Sequence, residues 1–149
     1  MTLLEWARNC FANDRYATQA TGITIQDVSV EGNGGACLCQ IELQEHHLNA
    51  RNAVMGGVFF TLADFAAGVA VNLAEALPRL NQSLTEEELY ELHWVSTNST
   101  INFLSQPKGR VITAKAICLR QGRTTGLYQV SVVEGERLLA VVTTTGMRV

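Results

Sequence analysis

Asp64 is the only charged residue between Arg51 and Glu75, and it lies inside NAVMGGVFFTLADFAAGVAVNLA, a run otherwise made of apolar and small side chains. A helix that is apolar nearly all round is expected to be buried. A buried carboxylate without a partner costs several kcal/mol or takes up a proton, and a reason to keep one is chemistry, as a general base or as a nucleophile. Two plainer readings compete. The segment is about long enough to cross a bilayer, although a mid-helix Asp costs roughly 3 kcal/mol on insertion. Alternatively, Asp64 is a structural carboxylate bonded to the backbone amides of a neighbouring loop.

Gly56 stands where the long helix would begin. Its N–H has no intrahelical acceptor and sits at the positive end of the helix dipole, which makes it a donor to a developing oxyanion, with no side chain in the way. Asn49, in the polar stretch EHHLNARN, offers a side-chain N–H nearby or serves its own loop as a turn former. Gly56 and Asp64 are separated by about 12 Å of helix axis, so one helix does not easily bring both to one reacting carbon.

These residues need a scaffold. Residues 3–20 read as two short helices broken at Asn13 or Asp14. ITIQDVSV and ACLCQIEL, around a Gly-rich turn at 31–35, read as a β-hairpin. The long helix is expected from Gly56 to about Ala76, stopped by Pro78. Ala63, Ala67, Ala70 and Ala74 fall on one stripe that allows another element to approach closely. Thr85 and Glu88 at the capping-box interval predict a short helix over 86–92. Four strands then follow at 94–104, 111–120, 124–133 and 137–147, with Tyr128, Val130 and Val132 on the buried side. The order is that of an α+β layer, one central helix against one curved antiparallel sheet, in a single domain over 1–149.

The 149 residues carry a formal net charge of −3 and a pI near 5.6, so nothing points generally to nucleic acid or an anionic membrane. MTLLEWARNCFANDRYATQ lacks the basic and apolar regions of a signal peptide, and a cytoplasmic location is expected. Cys10, Cys37, Cys39 and Cys118 lack ligand spacing and read as buried free thiols, with Cys37 and Cys39 on one strand face. His46, His47 and His93 show no third ligand at a matching interval, so no metal is expected; His47 is expected to bond within the loop that aims Asn49.

The pattern H47-L-N49-x5-M55-G56-G57-x6-D64-x3-G68 resembles the acyl-CoA thioesterases of the hotdog fold, in particular the phenylacetic-acid-pathway (PaaI-like) branch. The likeness continues through STNSTINFLSQPKGR, RQGRTT and LLAVVTTTGMRV, and leaves out only the stretch from about Pro78 to His93. Met55 stands where most relatives carry His, a residue thought to position the loop and the substrate carbonyl.

The resemblance implies a hotdog fold and hydrolysis of an aryl- or medium-chain acyl-CoA, with coenzyme A as part of the substrate and no separate cofactor. Asp64, Gly56, Asn49 and Ser96 would be catalytic, with Ser99 as the alternative hydroxyl. Asp64 would come from a second protomer, in a homodimer or a tetramer of paired dimers. Met55, Gly57 and Gly68 would line the substrate. Lys108, Arg120, Gly122, Arg123 and Thr124 would meet coenzyme A, basic turns being suited to phosphate. Phe59, Phe60, Phe65 and the Leu89-Tyr90-Leu92-Trp94 stretch either shape the acyl pocket or belong to the core. A non-catalytic acyl-CoA-binding module is the reading from another class.

Overall fold

Two glycines reset the first hairpin. In the computed structural model, which describes residues 1–149, β1 (Thr24–Glu31) and β2 (Gly34–Glu42) pair antiparallel from Thr24↔Gln40 to Glu31↔Gly34. The turn expected over 31–35 shrinks to Gly32 and Asn33, with Gly32 at φ +60°. Gly34 and Gly35 belong to the strand instead. A Cβ on Gly35 would lie 2.2 Å from the Ala70 carbonyl oxygen, and one on Gly34 would lie 2.3 Å from Cys118 Sγ. Close approach, rather than turning, is what requires glycine at both.

The element approached is α2, Gly56–Arg79. Ala63, Ala67 and Ala70 are buried to 2% exposure or less, so β2 settles against helix backbone. The helix passes through Pro78 rather than stopping at Ala76. Proline forfeits only one hydrogen bond there, in the last turn, and Leu80 N–H still closes onto the Leu77 carbonyl at 3.3 Å.

β3 (Trp94–Phe103), β4 (Val111–Gln121), β5 (Thr125–Glu134) and β6 (Arg137–Arg148) complete one six-stranded antiparallel sheet ordered β1-β2-β4-β5-β6-β3. These bounds lie within one residue of expectation. Tyr128, Val130 and Val132 face the core at 1% exposure or less, as the alternation requires. The sheet wraps α2, and the arrangement is the hotdog fold. By length and mean hydropathy of 1.6 α2 passes for a membrane span, but its apolar surface is spent on the sheet.

The N-terminus packs beside this layer. α1 (Leu3–Phe11) ends before residues 12–14, and a π-helical turn follows at Tyr16–Ala20. Trp6 is fully buried, stacks on Tyr90 with centroids 6.4 Å apart, and donates its indole N–H to the Leu89 carbonyl at 2.8 Å. The excursion from Pro78 to His93 thus serves as the receptor for α1. Within it α3 covers only Glu86–Leu89, shorter than expected, because Tyr90 leaves helical geometry to meet Trp6. Phe59, Phe65 and Trp94 are core residues at 6% exposure or less, and Phe60 is half-buried. Cys37 and Cys39 are buried with Sγ atoms 3.4 Å apart on one face, while Cys10 and Cys118 are only half-buried; all four thiols are free.

Candidate active site

Asp64 sits in the third turn of α2 between the buried Ala63 and Phe65, yet its side chain is exposed in the single chain. That corrects the expectation of a buried carboxylate. Between Gly56 and Ala76 only Gly57 and Asp64 are exposed, both on one face of α2, and Asp64 marks the opening. Its acid strength still reflects apolar surroundings: desolvation raises the pKa above that of an ordinary aspartate, a hydrogen bond from Ser96 opposes the rise, and the charge of Asp14 adds to it.

Ser96 Oγ donates to Asp64 Oδ1 at 3.2 Å. A β-bulge makes this possible. In the β3–β6 ladder Ser96 faces Gly146 and Asn98 faces Thr145, leaving Thr97 unpaired. The extra residue shifts the strand's phase, so Trp94 and Ser96 face α2 before it and Ser99, Ile101 and Phe103 after it. Ser99 is occupied elsewhere, 2.9 Å from the Thr144 hydroxyl. Of the two hydroxyls, the fold brings only Ser96 to the carboxylate.

At the other end of the opening α2 begins at Met55-Gly56-Gly57. No side chain caps this terminus, and the N–H groups of Gly56 and Gly57 donate to no protein acceptor. A Cβ on Gly56 would come within 2.9 Å of Phe103 Cζ, whereas a Cβ on Gly57 would meet open space. Gly56 therefore lies under an aromatic ring and Gly57 faces outward, as does Met55 at 57% exposure. Gly68, one turn beyond Asp64, likewise has nothing within 4 Å of its missing side chain.

The loop before the helix is tightly held. Asn49 Oδ1 accepts the N–H groups of Arg51 at 2.9 Å and Ala53 at 3.2 Å, so the turn-forming role is real. It uses only the oxygen and leaves Nδ2 without a protein acceptor. His47 is buried; its Nδ1 accepts from Gln44 N–H at 2.8 Å, which puts the proton on Nε2 for the Thr21 carbonyl, also at 2.8 Å. Burial lowers its pKa, so a neutral imidazole pins the loop, and its own carbonyl accepts Met55 N–H at 3.0 Å.

The residues expected to meet coenzyme A divide into two groups. Lys108 lies in the β3–β4 loop, where its N–H and that of Gly109 bind Glu134. Arg120, Gly122, Arg123 and Thr124 lie at the opposite end of β4. The eleven residues of β4 span roughly 35 Å, so one chain does not bring both groups to the same phosphate. Arg123 and Gly122 border a cleft of about 600 Å³ with Gln121, Asn33, Glu75 and Arg148. Arg123 forms no ion pair, while Arg148 Nε donates to Glu75 at 2.7 Å.

Two residues here escaped the sequence reading. Phe103 gave no signal, since an aromatic at a strand end reads as core, and its 56% exposure comes from the edge position of β3. Arg148 lies far in sequence from the turn it joins.

Residues 52–141 match the thioesterase superfamily. No protein of curated function matches the chain. Among solved structures, the PaaI protein of the Escherichia coli phenylacetic acid degradation operon superposes with TM-score 0.72 at 24% identity, over 99% of this chain and 96% of that one. A thioesterase family protein from Silicibacter pomeroyi gives 0.72 at 20% identity, covering 98% and 97%. A hypothetical thioesterase from Streptococcus pneumoniae, solved with coenzyme A, gives 0.68 at 22%, covering 93% and 96%. The fold is that of these proteins, and with more than half its length matched, the chain belongs to the thioesterase superfamily as a thioester hydrolase of hotdog fold.

Proposed function

We propose that the protein hydrolyses acyl-CoA thioesters at sites shared between two copies of the chain. The observation that carries this reading is the Ser96–Asp64 hydrogen bond at an exposed position in the middle of the core helix. A raised carboxylate pKa makes Asp64 a better base than an ordinary aspartate. Ser96 holds water against it, and Asp64 takes a proton as the oxygen attacks the thioester carbon. Gly56 N–H and Asn49 Nδ2 of the partner subunit stabilise the oxyanion. Collapse of the tetrahedral intermediate breaks the C–S bond, and the departing thiolate receives the proton from Asp64.

The partner is needed because Gly56 and Asp64 of one chain stand about 12 Å and nearly a quarter-turn apart on the same helix. β3 is an edge strand with Val95 and Phe103 exposed, suited to pair with a second copy; two such dimers then form a tetramer. The Streptococcus pneumoniae relative, whose structure includes coenzyme A, supports the substrate class. Arg123, with Gly122 and Thr124, holds the phosphates.

The test is thiol release from aryl- and fatty-acyl-CoA esters by the wild type and by Asp64→Asn. Release by the wild type alone supports the reading. Equal release by both removes Asp64 from the mechanism, and binding of the panel without release points to a binding module.

A further inference from the structure

Val54, two residues before Gly56, is gripped from far away in sequence. Its N–H donates to Gln106 Oε1 at 2.8 Å, and its carbonyl accepts from Gln106 Nε2 at 3.3 Å. One side-chain amide thus imitates a neighbouring strand, satisfying both backbone groups of a residue outside the sheet. The opposite side of Val54 is bridged to Leu48. Three residues before Gln106, the Phe103 ring lies over Gly56. The segment 103–106 therefore holds the start of α2 at two points.

We propose that Gln106 is a positioning residue for the reaction: its amide fixes Val54 and, through Met55, the direction in which the Gly56 and Gly57 N–H groups point. The proposal rests on the reading that the Gly56 N–H receives the oxyanion, with Gly57 beside it lining the substrate. Gln106 touches no reacting atom itself. Its effect comes through orientation, and a displacement of about 1 Å at such a donor is worth up to 100-fold in rate.

Gln106→Leu removes both bonds at similar volume. Gln106→Glu keeps an acceptor for Val54 N–H, but its carboxylate repels the Val54 carbonyl until protonation restores a donor. The experiment measures kcat and KM for an acyl-CoA ester against pH for wild type and both variants, together with hydrogen exchange at the Val54, Gly56 and Gly57 amides. The expected result is a kcat about 10- to 100-fold lower in Gln106→Leu with KM within about twofold. The Gln106→Glu to wild-type ratio should climb as pH falls, and Val54 exchange should accelerate in Gln106→Leu without a change in global unfolding. An unchanged kcat, a flat ratio, or a loss confined to KM overturns the proposal. Should the wild type hydrolyse no ester, the active-site reading fails separately; the exchange data still decide the clamp, since unaltered Val54 protection in Gln106→Leu refutes it.

Discussion

Ser96 donates its hydroxyl hydrogen to Asp64 over 3.2 Å, tying an edge strand to the open face of the central helix. The bond exists because β3 carries one residue more than β6 across Ser96–Asn98. It opposes the desolvation of the carboxylate, and so sets how readily Asp64 takes a proton.

The acid limb of kcat/KM should therefore lie above the ordinary aspartate range. In Ser96→Ala it should move further up, because the bond that favours the ionised form is gone, and kcat should fall about tenfold, equivalent to about 1.4 kcal/mol. A pH–rate profile of both proteins measures the two effects together; a limb moving down would assign Ser96 another role.

Asp64→Asn should abolish turnover and leave the melting temperature equal or higher. With the folded-state pKa raised, the native protein holds the proton more tightly than the unfolded chain. Stability is lost as pH rises from the unfolded to the folded value, and the deficit persists above it. Asparagine removes that deficit. Calorimetry at neutral pH and near pH 4 checks it: the gap between variant and wild type should shrink in acid.

Alanine should discriminate among the glycines. Gly35→Ala drives a Cβ into the Ala70 carbonyl at 2.2 Å, where helix backbone cannot yield, and should cost more than about 3 kcal/mol by chemical denaturation. Gly56→Ala meets only the tip of the Phe103 ring at 2.9 Å. It should remain within about 1 kcal/mol of wild type because alanine also favours the helix, yet lose activity as the ring swings. Phe103→Leu in the same chain should restore part of the rate. Gly57→Ala should be tolerated in stability.

Arg123→Ala should raise KM for coenzyme A esters by at least about tenfold, with little change for thioesters of a short thiol that lacks the nucleotide. Charge-assisted bonds to phosphate contribute about 1.5–3 kcal/mol each. Comparing KM for the two ester types separates phosphate binding from a general loss of structure.

Periodicity located nearly all the elements. The strands could be read because Tyr128, Val130 and Val132 alternate with wet neighbours, and the helix because its small residues fall on one stripe. What misled was local chemistry overruled by packing. Gly34 and Gly35 suggest a turn, but are glycine for the sake of Ala70 and Cys118. Pro78 suggests an end, yet a last turn tolerates it. Asp64 suggests burial because its neighbours are apolar, while the helix leaves that one face uncovered. The Ser96 and Asp64 pair rested on a resemblance, since a bulge has no signature in STNST. Lys108 and Arg123 look close in sequence, but a whole strand lies between them and sets them at opposite ends of β4.

The clasp between Trp6 and the Leu89 carbonyl has a historical consequence. A lineage that shortened the 79–93 excursion would strand a buried indole N–H, at a cost of about 1–3 kcal/mol, and one that discarded α1 would bare the Tyr90 ring. Neither segment can be trimmed alone without penalty, so the two should be gained and lost together among relatives.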